Sequence, residues 1–62
     1  MYEKFENLLN ARKISLYEIS KQTGIAPATF YSWKNGEYTP KADKLLKIAD
    51  FFGVSIDYFL RD

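Results

Sequence analysis

The sequence predicts an all-α fold of five short helices, and three observations carry that reading. Apolar residues recur at the 3.6-residue period of an amphipathic helix in one segment after another. No stretch alternates apolar and polar residues as a half-buried strand would. Glycine, proline and small hydroxyl residues interrupt the pattern at the spacing at which short helices stop and restart.

The segment YEKFENLLNARK sets Phe5, Leu8, Leu9 and Arg12 at helical spacing and gives helix one. Ser15 precedes Leu16-Tyr17-Glu18 in the S-x-x-E pattern of a capping box, so helix two runs from Leu16 to Gln22 or Thr23. Gly24 supplies a residue able to take positive φ just beyond that end, and Ile25 follows as a buried anchor. Pro27 suits the first turn of helix three, where its missing N–H had no intrahelical acceptor to lose. Phe30 and Trp33 should point inward with Ile19 and Ile25, and Asn35-Gly36 ends the helix. Thr39 is expected to cap helix four with Pro40 in its first turn, and Leu45, Ile48, Ala49 and Phe52 form its inner face up to Gly53. Ser55 is expected to cap a short fifth helix, with Val54 and Phe59 as a hydrophobic staple.

A chain of 62 residues supports one core, so residues 1–62 are read as a single domain. With 47% apolar and 18% aromatic residues it is rich enough to fold without disulfides, and it has no cysteine to form them. Lacking cysteine and histidine, it offers no usual zinc site, no thiol nucleophile and no imidazole base. Its acidic residues are scattered, with no paired-carboxylate or metal-ligand spacing, so no enzyme, no cofactor and no metal are expected. No apolar run approaches the roughly 20 residues of a membrane span, and Met1-Tyr2-Glu3-Lys4 does not open a secretory signal. The expectation is a soluble, unprocessed, cytoplasmic protein with no membrane partner.

Net charge is only +1, but it is unevenly placed. From Arg12 to Lys47 the balance is +4, against −3 for the two ends together. The middle of the chain is therefore the part suited to meet phosphate.

A short helix, a turn holding Gly24 and Ile25, and a second helix begun at Pro27 make a helix-turn-helix, with small Ser20 allowing helix three to cross closely over helix two. In that motif the exposed edge of the second helix fits the major groove. Ile14-Ser15, Ile19-Ser20, Gly24-Ile25, Phe30, Trp33-Lys34-Asn35-Gly36, Pro40 and the tail KLLKIADFFGVSIDYFL resemble the lambda-repressor and Cro (XRE) family of helix-turn-helix regulators. The likeness spans nearly the whole chain, most specifically in the W-x-N-G that closes helix three and in the tail. It implies a five-helix lambda-repressor-like DNA-binding domain. The implied function is sequence-specific binding of a double-stranded DNA operator, as a repressor acting in a homodimer.

Carried over residue by residue, the resemblance implies base contacts at Pro27, Ala28 and Ser32, with Tyr31 and Thr29 beside them. Pro27 and Ala28 have no side-chain donor or acceptor, so they can favour a thymine methyl but cannot make a bidentate pair. Tyr31 is the strongest direct reader, and DNA shape should supply part of the specificity. Phosphate contacts are implied for Asn35 and the Glu37-Tyr38-Thr39 loop through backbone amides and a hydroxyl, with Tyr17 and Lys34 also placed for the backbone and Lys41 and Lys44 just beyond, either in contact with it or solvated on a charged helix. Two positions depart from the family. Leu16 replaces a common glutamine that bridges a phosphate to the first residue of helix three, so that bridge would be apolar with Pro27. Lys34 stands where glutamate is common.

A second reading, from another class, is a protein-interaction or antitoxin-like module that docks through the apolar Pro27-Ala28-Tyr31 edge. Phe51 and Tyr58 are candidates to stay exposed in the last region, through which family members often dimerise.

Overall fold

The computed structural model describes residues 1–61; the Asp62 carboxylate, counted above in the charge of the C-terminal end, lies outside them. Five helices follow in order: α1 (Tyr2–Arg12), α2 (Leu16–Thr23), α3 (Pro27–Lys34), α4 (Ala42–Phe52) and α5 (Asp57–Leu60). Among the described residues no helix is long and apolar enough to cross a membrane.

The start of α2 follows from Ser15, whose hydroxyl accepts from the Glu18 amide at 3.1 Å. Only this half of the capping box forms among the described residues. At its other end Gly24 takes φ 75°, and its amide reaches the Ser20 carbonyl at 2.9 Å. A methyl at Gly24 would meet no atom within 4 Å, so the backbone angle rather than crowding is what asks for glycine here. Thr23 then braces the turn from both sides. Its hydroxyl donates to the Ile19 carbonyl at 2.7 Å and accepts from the Ile25 amide at 3.3 Å. Ile25 is buried as expected, and Pro27 occupies the first turn of α3.

Three helices close in the same way, with a left-handed residue and a pair of back-directed amide bonds. After α3 the Gly36 amide reaches Trp33 and the Glu37 amide reaches Ser32; after α4 the Gly53 amide reaches Asp50 and the Val54 amide reaches Ala49. The α1 end differs in its residue, because Lys13 rather than glycine adopts φ 55° while the Ile14 amide bonds Leu9 at 2.9 Å.

Two expected caps are corrected. Helix α4 begins at Ala42 behind an extended Lys41 with no side-chain cap bond, so neither Thr39 nor Pro40 belongs to its first turn. Pro40 is buried in the approach to the helix, where its ring serves packing, and the residue before a proline is held out of the helical region. Helix α5 is preceded by Ile56 in helical conformation and has no side-chain cap bond; Ser55 contributes its carbonyl, which accepts from the Tyr58 amide at 3.0 Å. The tight i→i+3 bonds of this one-turn element take the place that a serine hydroxyl would fill. Val54 is half-buried and Phe59 fully buried.

The core comprises Phe5, Leu9, Ile19, Ile25, Phe30, Trp33, Leu45, Ile48, Ala49, Phe52 and Phe59. Its centre is aromatic. Phe5 stacks on Phe30 with ring centroids 5.1 Å apart and planes 1° from parallel. The same ring lies 5.0 Å from Trp33 and meets Phe52 edge-on at 6.1 Å. Offset and edge-to-face pairs of this kind add to what area burial alone contributes. Through Phe5, α1 holds α3 and α4 in one piece, which fixes the height at which α3 stands on the domain.

Candidate nucleic-acid interface

At about 100° per residue, the inward stripe of α3 is Phe30 and Trp33, and the opposite edge is centred on Ala28 and Ser32. The structure keeps the inward stripe and shifts the exposed edge toward Pro27, Ala28 and Tyr31. Phe30 and Trp33 are buried, while Pro27, Ala28 and Tyr31 are exposed, Tyr31 by 53%. Thr29 and Ser32 are half-buried on the flank that turns toward α4.

Two open clefts border this edge. One is lined by Tyr17, Ser20, Lys21, Gly24, Ile25, Ala26 and Pro27. Tyr17, 71% exposed, is one of three α2 residues, with Ser20 and Lys21, that share this cleft with Pro27. Leu16 packs against the core and is not among the residues lining the cleft that holds Pro27. The second cleft is lined by Ala28, Thr29, Ser32, Tyr38 and Lys44. It brings three of the expected base-edge residues together with one residue of the loop.

Lys34, Asn35, Thr39 and Lys41 are exposed but line neither cleft. The loop corrects one expectation. The Asn35, Gly36 and Glu37 amides donate to the Tyr31, Trp33 and Ser32 carbonyls, so the end of α3 consumes the donors at those positions. Among the described residues the Tyr38 and Thr39 amides have no intramolecular partner, and they remain as the loop's donors together with the Asn35 and Thr39 side chains.

Lys21 was not among the residues named from the sequence for this surface, whereas Lys44 was, beside Lys41 just beyond the loop. The signal for Lys21 was its i+4 spacing from Tyr17, which puts both on one face of α2. For Lys44 the signal was its position just beyond the loop, while its place in the cleft with Ser32 depends on how α4 packs. Its ammonium stands 5.8 Å from the centroid of the Tyr38 ring, a cation–π distance. On the far side of α3, Tyr2 packs edge-on against Trp33 at 5.3 Å. Burial, with the Glu6 carboxylate and Tyr31 nearby, raises the Tyr2 phenol above its ordinary value.

The profile of the family described as "Helix-turn-helix domain" matches residues 2–62. The chain belongs to that family. The helix-turn-helix domain is also 39% identical over 41 residues to an uncharacterised HTH-type transcriptional regulator of Haemophilus influenzae, which covers 66% of this chain and 17% of the relative. It is 28% identical over 58 residues to the uncharacterised HTH-type transcriptional regulator YobD of Bacillus subtilis, covering 94% of this chain and 52% of the relative. The chain therefore spans about half or less of the length of these two relatives. No solved structure matches it significantly. Together with the Gly24 turn and the α2–α3 crossing, this makes the fold an XRE-like helix-turn-helix of five helices.

Proposed function

We propose that this helix-turn-helix domain binds double-stranded DNA sequence-specifically as a transcriptional repressor in the cytoplasm, with α3 in the major groove and two copies on a two-fold operator. The observation that carries the reading is the outer edge of α3. Pro27, Ala28 and Tyr31 are exposed, with Phe30 and Trp33 locking the helix from behind. The relatives named as transcriptional regulators support it.

Pro27 and Ala28 let the backbone approach the bases and suit a thymine methyl; Ser32 and Thr29 offer single hydroxyls; Tyr31 offers a ring and a phenol. Tyr17, Lys34, Asn35, Tyr38, Thr39 and Lys41 surround that edge and suit contacts to the sugar-phosphate chains, which set register without reading sequence. Selection of bound duplexes from a random pool tests the proposal. A palindromic consensus with half-sites about one helical turn apart is the expected outcome. A pool that shows no enrichment would remove it.

The apolar character of the Pro27-Ala28-Tyr31 edge favours a second reading, docking onto another protein. Salt separates the two, since DNA binding weakens steeply with ionic strength and an apolar contact does not.

A further inference from the structure

Lys21 and Lys44 stand in the two clefts that border the outer edge of α3, Lys21 beside Tyr17 and Pro27, Lys44 beside Thr29, Ser32 and Tyr38. Among the described residues no carboxylate lines either cleft. Pro27 and Thr29 lie on opposite flanks of α3 at about 100° per residue, so the clefts that hold the two lysines open on opposite sides of the helix. A helix with its side chains is about 10–12 Å across, and the major groove is about 12 Å wide. An inserted α3 therefore fills the groove between its two walls, and the phosphates along those walls belong to different strands.

The geometry points to Lys21 and Lys44 as a pair of phosphate-binding cations that take opposite strands of one duplex, with the Tyr38 ring positioning Lys44. This rests on the DNA-binding reading above. The positioning has a specific cause. Lys44 is half-buried near the start of α4, and its ammonium is held over the half-buried Tyr38 ring at 5.8 Å instead of sweeping through solvent. A lysine held in this way gives up less side-chain freedom when it meets a phosphate. Lys21, exposed and with no ring contact of this kind among the described residues, is the freer of the two.

The experiment uses the chain and a duplex recovered from a random-sequence pool, with neutral methylphosphonate replacing one phosphate at a time. The wild-type protein should lose affinity at one position or more on each strand. Lys21→Gln should become insensitive to replacement on one strand, and Lys44→Gln on the other. Each variant should also flatten the plot of log affinity against log salt by about 0.9, the share of one neutralised phosphate. Tyr38→Leu, which keeps the Lys44 charge but removes the ring that holds it, should reduce sensitivity at the Lys44-dependent phosphate and add nothing there in the double variant with Lys44→Gln. Thermal melting of each variant separates a lost contact from a lost fold. If both glutamine variants keep the wild-type slope and the wild-type pattern of sensitive phosphates, the inference falls while DNA binding stands. If the wild-type protein binds no duplex at any salt, the reading beneath it falls as well.

Discussion

Arg12, at the last position of α1, donates from Nη2 to the carbonyl oxygen of Phe52, the last residue of α4, at 3.1 Å, and its guanidinium stands 5.8 Å from the centre of the Phe52 ring. One side chain thus satisfies a terminal carbonyl of another helix, brings a positive charge to its negative end and covers an aromatic face. Arg12→Ala should lower stability by about 1 kcal/mol, because Arg12 is exposed and water screens part of the interaction. Arg12→Lys should recover only a part of it, since an ammonium cannot present the planar fork. A denaturant midpoint unchanged in Arg12→Ala would show the bond to be inconsequential.

Ser20 should respond in the opposite direction. It is 7% exposed, and its hydroxyl has no hydrogen-bond partner among the described residues. Ser20→Ala keeps the small volume that the α2–α3 crossing needs and removes a buried polar atom. The expected result is a gain of up to ~1 kcal/mol, read as a higher urea midpoint with the same slope. A lower midpoint would mean that the hydroxyl has a partner such as a water.

Lys13 ends α1 at φ 55°, a conformation that non-glycine residues adopt at a penalty. Lys13→Gly should stabilise the fold by about 0.5–1 kcal/mol, with the Schellman bonds at Ile14 unchanged. Melting curves give the answer, and a lower melting temperature would contradict the strain.

For recognition, Tyr31→Ala should weaken binding to the selected duplex by about 1 kcal/mol while leaving random DNA nearly untouched. Lys34→Ala should weaken both alike and reduce the salt slope by about 1. Titration against the two duplexes at several salt concentrations checks both. Unchanged binding in both variants would mean that α3 does not enter the groove as proposed.

The Tyr2 phenol supplies a pH dependence. Its folded value is raised, first by burial and then by Glu6 and Tyr31. The folded state thus holds this proton more tightly than the unfolded chain does. Its contribution to stability is complete below the ordinary value of 10.0 and is lost as the pH rises through the raised one. Tyr2→Phe should be less sensitive to alkali than the wild type, and parallel stability curves above that point would refute the assignment.

The helices and most of their ends were legible because glycine, proline and serine act locally: Ser15, Gly24 and Pro27 each do what their chemistry dictates. The failures lie where packing decides. Pro40 looks like a first-turn proline but is used to fill the interior, and Lys13 ends a helix that carries no glycine to mark it. The outer edge of α3 followed from the spacing of Phe30 and Trp33, whereas Tyr17 beside Pro27 and Lys44 beside Ser32 arise from tertiary contacts that no local pattern encodes.

Phe5 lies on a helix that contributes no residue to either cleft, yet its ring packs against Phe30 and Trp33, the two anchors of α3. Truncation to alanine would remove about 3–5 kcal/mol, comparable to the whole stability of a domain this size, and would simply unfold it. A milder change such as Phe5→Leu would leave the fold standing with α3 tilted on its seat. A genetic screen for loss of DNA binding would then score Phe5 beside true contact residues, and only a footprint shifted as a unit, with no single base uncovered, would reveal it as the fulcrum.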